Sequence, residues 1–76
     1  MAMDEGHRVV CHLEAILKER NMTLVELSER VGITVANLSI LKNDRARAIR
    51  FSTLTAVCEA LEIQPGDLFS VSPTVG

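Results

Sequence analysis

The stretch Thr23–Asn43, TLVELSERVGITVANLSILKN, decides the fold because it combines two short amphipathic segments around one glycine. The apolar positions of the first segment recur at helical spacing, and the second resumes the same face (Leu24, Leu27, Val31, then Leu38 and Leu41). Gly32 lacks a Cβ and can adopt the positive φ that ends a helix, after which the Thr34 hydroxyl can cap the next helix. Ser28 is small where the two helix axes must approach. The stretch therefore predicts a helix-turn-helix motif.

The flanking sequence predicts three more helices and two short strands. A first helix is expected at about 13–20, and a Thr23-x-x-Glu26 capping box opens the second, with the third at about 35–42. A fourth helix follows a cap at Ser52, and a fifth runs over Pro65–Leu68. Strands are predicted at residues 8–11 and 69–72. The alternatives are that they pair with each other, that a partner subunit extends their sheet, or that they are frayed termini. We expect one domain over 8–72, with flexible termini at 1–7 and 73–76.

The composition limits the protein to one small domain with an aliphatic core. The chain has 76 residues, of which 47% are hydrophobic, and its only aromatic residues are Phe51 and Phe69. No apolar run approaches the roughly 20 residues that span a bilayer, and the first twelve residues are too short and too polar for a signal peptide. We therefore expect a cytoplasmic protein with no attached sensor domain.

The cysteines and histidines give little reason to expect a metal, a cofactor or catalysis. Without an export signal, Cys11 and Cys58 are expected to be reduced thiols in or near the core. A metal alternative would bring them together with His7 and His12, but the spacing matches none of the usual zinc patterns. The sequence suggests no pairing of a nucleophile with a base. We therefore expect neither an enzyme nor a metal or cofactor site.

Positive charge is concentrated just after the third predicted helix. The net charge is −2, yet residues 42–50 carry four cations and one anion. These cations follow a helix whose N-terminus, capped by Thr34, favours an anion. The alternative is an ordinary solvated loop. The predicted phosphate contacts are Thr23, Thr34, Lys42, Asn43, Arg45, Arg47 and Arg50.

The outward face of the third predicted helix is mostly apolar. The helical wheel turns this face away from Leu38 and Leu41, and a helix of this kind fits the major groove of B-DNA. Asn37 can bond an adenine in two places, and the apolar side chains can touch thymine methyl groups. An alternative places Val35 and Ile40 in the core or in a dimer contact. The predicted base contacts are Val35, Ala36, Asn37, Ser39 and Ile40, with a preference for A·T pairs.

The sequence resembles the lambda-repressor/Cro-like (XRE-type) helix-turn-helix regulators in three segments. These are Gly32–Ser39, Ile49–Leu54 and Gln64–Leu68. The resemblance implies an all-α, compact five-helix DNA-binding domain, with the short terminal strands as a possible addition. It also implies a homodimer that binds double-stranded operator DNA as a repressor. The chain departs from many relatives by having Leu24 where they carry glutamine, and Val35-Ala36 where they carry polar or basic residues.

A protein-interaction module is the alternative function. The same fold serves as an antitoxin or an adaptor, and an apolar outward face on the third helix would then be an interface with another protein.

Overall fold

The computed structural model describes residues 8–43 and 45–72, which form five helices and one small sheet. In chain order the elements are β1 (Val9–Cys11), α1 (Leu13–Glu19), α2 (Leu24–Val31), α3 (Val35–Lys42), α4 (Phe51–Leu61), α5 (Pro65–Leu68) and β2 (Phe69–Val71). The predicted flexible termini, 1–7 and 73–76, lie outside the described residues. The all-α prediction is right about the five helices but incomplete, because two strands do form.

The core is aliphatic, as the composition predicts. Residues from all five helices meet in it, and each is at most 7% exposed (Leu13, Ile16, Leu17, Leu27, Leu38, Val57, Leu61 and Leu68). Cys58 is also buried, while Cys11 is half-buried, and both are free thiols. Burial, and secondarily the charge of Asp67, raises the pKa of the Cys58 thiol. The thiol is therefore neutral at physiological pH and packs as a small apolar group.

The two strands join the ends of the domain within one chain. They pair antiparallel in the register Val9 with Val71, Val10 with Ser70 and Cys11 with Phe69. Cys11 and Phe69 are packed against the core, whereas Val71 is 65% exposed. Of the alternatives that the sequence left open, the structure thus shows pairing within the chain.

Helix α4 begins earlier than the sequence predicts. The N-cap is Arg50, in extended backbone conformation, and Phe51 is already helical, so the prediction of a cap at Ser52 is wrong. The Arg50 carbonyl accepts the first helical hydrogen bond from the Leu54 N–H at 2.9 Å. No side chain caps this end. The start of the helix is consistent with tertiary packing of Val57 and Leu61 overriding the local capping preference of serine.

The C-terminus of α4 is hydrogen-bonded to the side chain of Arg20, the C-cap residue of α1. The Arg20 Nε donates to the Leu61 carbonyl at 2.8 Å. This bond satisfies one of the terminal carbonyls that no residue of the helix itself can pair with.

Within the part of the chain that the structure describes, no helix is long and apolar enough to cross a membrane.

Removing the Arg20 side chain should destabilise the domain measurably. We expect Arg20→Ala to lower the free energy of unfolding by about 1 kcal/mol, because it removes a charged donor from a helix-terminal carbonyl. Urea denaturation measures this difference. Arg30→Ala is the matched control, since Arg30 is exposed and forms no hydrogen bond or ion pair with other described residues. Equal loss in both variants would show that the bond to Leu61 contributes nothing.

Candidate nucleic-acid interface

The turn between α2 and α3 is fixed by two hydrogen bonds around Gly32. Gly32 has φ 72° and ψ 23°, which is the left-handed conformation that the sequence predicts. Its N–H donates to the Ser28 carbonyl at 2.9 Å. The Ser28 hydroxyl in turn donates to the Ile33 carbonyl at 2.6 Å. Sequence reasoning assigned Ser28 a role through its small size alone and missed this bond, which holds the turn against α2.

The N-terminus of α3 has the features of an anion site. Thr34 is the N-cap, and its Oγ1 accepts from the Asn37 N–H at 3.1 Å. The hydroxyl proton of Thr34 can still be donated to another group. The first turn of α3 carries no acidic residue, so the partial positive charge of the helix end is not neutralised from within the helix. A phosphate oxygen is the type of ligand that this arrangement favours.

The N-terminus of α2 is already occupied by a carboxylate. The predicted capping box is present: the Glu26 N–H donates to Thr23 Oγ1 at 3.0 Å, and the Thr23 N–H donates to Glu26 Oε1 at 2.9 Å. A phosphate approaching Thr23 would therefore meet the charge of Glu26. Of the two threonines predicted to contact phosphate, Thr34 has the more favourable electrostatic surroundings.

The outward face of α3 is exposed as the helical wheel predicts. Leu38 and Leu41 are buried at 1% and 6% exposure. Ile40, on the outward face, is 39% exposed and Val35, on the flank of the helix, is 38% exposed, so neither is a core residue. The alternative that placed them in the core is therefore wrong, although the dimer-contact alternative stays open.

The remaining predicted base-contact residues on α3 differ in exposure and in whether their polar side-chain atoms already form a hydrogen bond. Ala36 and Asn37 are exposed, and the Asn37 amide forms no side-chain hydrogen bond with other described residues. Ser39 is only half-buried, and its Oγ accepts from the Asn43 Nδ2 at 3.3 Å. A ligand that binds either side chain competes with this hydrogen bond.

The cations that follow α3 lie in differing surroundings. Lys42 is half-buried on the last turn of the helix, whereas Arg45 and Arg50 are exposed. The Arg45 N–H donates to the Ile40 carbonyl at 3.0 Å, which keeps the chain close to α3 after the helix ends. Arg47 is exposed and lines a cavity against Leu41 and Phe69. The loop thus brings exposed positive charge to the end of the helix.

A metal centre finds no support among the described residues. No group of three or more histidine, cysteine, aspartate or glutamate side chains gathers in residues 8–43 and 45–72. His7, one of the four residues of the metal alternative, lies outside them. His12 enters α1 as expected, and its Nε2 lies 2.6 Å from the Ser70 hydroxyl.

This geometry defines a class of protein. A capped helix with an exposed face, set by a rigid turn and followed by a cationic loop, is the arrangement of DNA-binding helix-turn-helix proteins.

Comparison with known proteins identifies the family. The chain belongs to the Cro/C1-type HTH DNA-binding domain family, whose model matches residues 12–74. It is 60% identical over 60 residues to the uncharacterised HTH-type transcriptional regulator YozG of Bacillus subtilis (strain 168). The aligned region covers 79% of this chain and 71% of YozG. The crystal structure of the transcriptional regulator VanUg, form II, is similar with a TM-score of 0.72 and 29% identity over 88% of each chain. The protein is therefore a DNA-binding transcriptional regulator of the Cro/XRE type, a class that acts by binding.

Because Gly32 but not Gly66 has a left-handed backbone, substitution by alanine should affect the free energy of unfolding differently at these two positions. A Cβ at Gly32 would meet no atom within 4 Å, so Gly32→Ala is penalised by its backbone conformation alone, by about 1 to 2 kcal/mol in unfolding free energy. Gly66 is equally open, but its φ is not in the left-handed region, so Gly66→Ala should be neutral or stabilising by up to about 1 kcal/mol. Denaturant titration of both variants measures this contrast. An undamaged Gly32→Ala protein would show that the turn tolerates another conformation.

Proposed function

We propose that this regulator is a repressor that binds operator DNA as a homodimer, with α3 of each protomer in the major groove. The observation that carries the proposal is the combination on α3 of an exposed outward face with a capped N-terminus that contains no acidic residue. The face supplies contacts to base edges, and the N-terminus supplies an anchor for the sugar-phosphate backbone.

The base contacts are assigned to Val35, Ala36, Asn37, Ser39 and Ile40. Asn37 is suited to adenine, because its exposed amide NH2 can donate to adenine N7 while its side-chain oxygen accepts from the adenine N6 amino group. Val35, Ala36 and Ile40 offer only methyl and methylene groups, whose best partner in the groove is the thymine methyl group. The resulting preference is for A·T pairs and is modest, since one side chain supplies most of the hydrogen bonding.

The phosphate contacts are assigned around the two ends of α3. Thr34 donates its hydroxyl at the N-terminus, Lys42 lies on the last turn, and Asn43, Arg45, Arg47 and Arg50 follow the helix. Such contacts fix the position of the helix without reading sequence. Thr23 is a weaker candidate, because Glu26 shares its helix end.

The homodimer follows from the size of the contact. One α3 helix reaches only a few base pairs, and specific affinity in helix-turn-helix proteins comes from two units bound about one helical turn apart. A chain of 76 residues supplies one such unit.

The salt dependence of DNA binding tests the role of the loop cations. If each protomer neutralises about three phosphates, the log–log slope of the binding constant against salt concentration should be about −5 for the dimer. Arg45→Glu/Arg47→Glu should bring the slope to about −2 or closer to zero and reduce affinity at least tenfold at moderate salt, because two contacts per protomer are lost. Fluorescence anisotropy with an A·T-rich duplex at several salt concentrations measures both quantities.

Lys18→Glu is the matched control for a reversed charge. Lys18 lies on α1, where it faces Glu14 at 3.8 Å in an exposed ion pair. We expect this variant to keep the slope of the unmodified protein, and circular dichroism should show that both variants are folded. A slope near zero for the unmodified protein would contradict DNA binding through these cations and would favour the protein-interaction alternative.

A further inference from the structure

One face of α4 carries a large apolar side chain, Phe51, that the described part of the chain leaves open to solvent, beside the buried Cys58. Phe51, Thr55, Cys58 and Glu62 recur at i, i+4, i+7 and i+11 and line one depression together with Leu54, Glu59, Ile63 and Pro65. We call this surface the α4 stripe. Phe51 is 83% exposed, more than any other large hydrophobic residue described.

The α4 stripe is better suited to protein contact than to water. Exposing a phenylalanine rather than burying it forgoes about 2 kcal/mol. Thr55 adds to the apolar character, because its hydroxyl donates to the Phe51 carbonyl at 2.8 Å and its methyl group is left for packing. Leu54 and Ile63 are half-buried beside these residues.

The charges at the two ends of the α4 stripe are opposite. Arg50 precedes Phe51 at the N-terminal end, whereas Glu59 and Glu62 lie near the C-terminal end. All three residues are exposed, and none forms an ion pair with another described residue. The eleven residues of α4 separate the two ends by about 16 Å.

We propose that the α4 stripe is the dimer interface of this protein, with a second copy of the chain as its occupant. Two α4 helices packed antiparallel about a twofold axis bring Phe51 of each protomer against Ile63 and Pro65 of the other. The same packing places the cation of each protomer beside the carboxylates of its partner, so the surface is complementary to itself in both apolar contact and charge. This inference deepens the proposed homodimer and reassigns Arg50 from a phosphate to an interprotomer contact.

The sheet offers a second exposed apolar surface but lacks this complementarity. Val9 and Val71 face each other across the strands and are 38% and 65% exposed. Among the described residues, the charged residue beside them in the sequence is Arg8, and neither strand carries a carboxylate to pair with it. The sheet surface therefore serves as the internal comparison for the α4 stripe.

Sedimentation equilibrium without DNA distinguishes the two surfaces. Phe51→Ser should raise the dimer dissociation constant at least tenfold, whereas Val71→Ser should leave it within about twofold. Both positions are exposed, so both variants should keep the circular dichroism spectrum of the unmodified protein. A dimer weakened by Val71→Ser but not by Phe51→Ser would overturn the proposal, as would an unmodified protein that stays monomeric up to about 1 mM.

Exchanging charges tests the antiparallel arrangement itself. Arg50→Glu and Glu62→Arg should each weaken self-association at least threefold, because each places like charges across the twofold axis. An equimolar mixture of the two variants should recover an affinity within about threefold of the unmodified dimer, since both interprotomer pairs are then opposite in charge. Glu62 already has φ 58°, so the arginine inherits the same backbone conformation.

The charge experiment also has a clear negative result. A mixture that associates no better than the separate variants would overturn the antiparallel contact. Because these measurements contain no DNA, their outcome is independent of operator binding. A protein that dimerises as described but shows no salt-dependent affinity for DNA would contradict only the proposed function.

Discussion

The left-handed turn at Gly32 is the constraint on which the rest of the structure depends. The turn links two helices whose inward residues, Leu27 and Leu38, are 0% and 1% exposed. Both leucines can be buried at once only if α3 leaves the turn at a fixed angle to α2. Two hydrogen bonds hold that angle. One runs from the Gly32 N–H to the Ser28 carbonyl at 2.9 Å, and the other from the Ser28 hydroxyl to the Ile33 carbonyl at 2.6 Å. The same geometry determines which side of α3 faces solvent.

Local charge then divides the surface into parts with different uses. The N-terminus of α2 is neutralised by Glu26, whereas that of α3 has no acidic residue in its first turn and is followed along the chain by exposed cations. An anionic ligand is therefore favoured at α3, although the protein as a whole carries a net charge of −2. The acidic end of the α4 stripe is suited instead to a cationic protein surface.

Local patterns in the sequence predicted most of the fold, because the decisive interactions are short-range. The capping box at Thr23, the positive φ at Gly32 and the bounds of α3 each depend on residues within four positions of one another. The prediction that Ser52 caps α4 is wrong, because the helix begins after Arg50 without a side-chain cap. The exposure of Phe51 depends on the relative placement of elements, and the bond formed by Ser28 depends on the exact geometry of the turn; periodicity gives neither. The DNA contacts themselves stay predictions.

Mapping DNA binding onto individual amides tests the central claim most directly. Isotopically labelled protein would be titrated at low salt with an A·T-rich duplex of about 20 base pairs, which holds two half-sites one helical turn apart. If α3 and the following loop form the interface, the largest chemical-shift changes fall in residues 34–43 and 45–47, while α1 is unchanged. Changes confined to α1, or none at saturating DNA, would contradict the account.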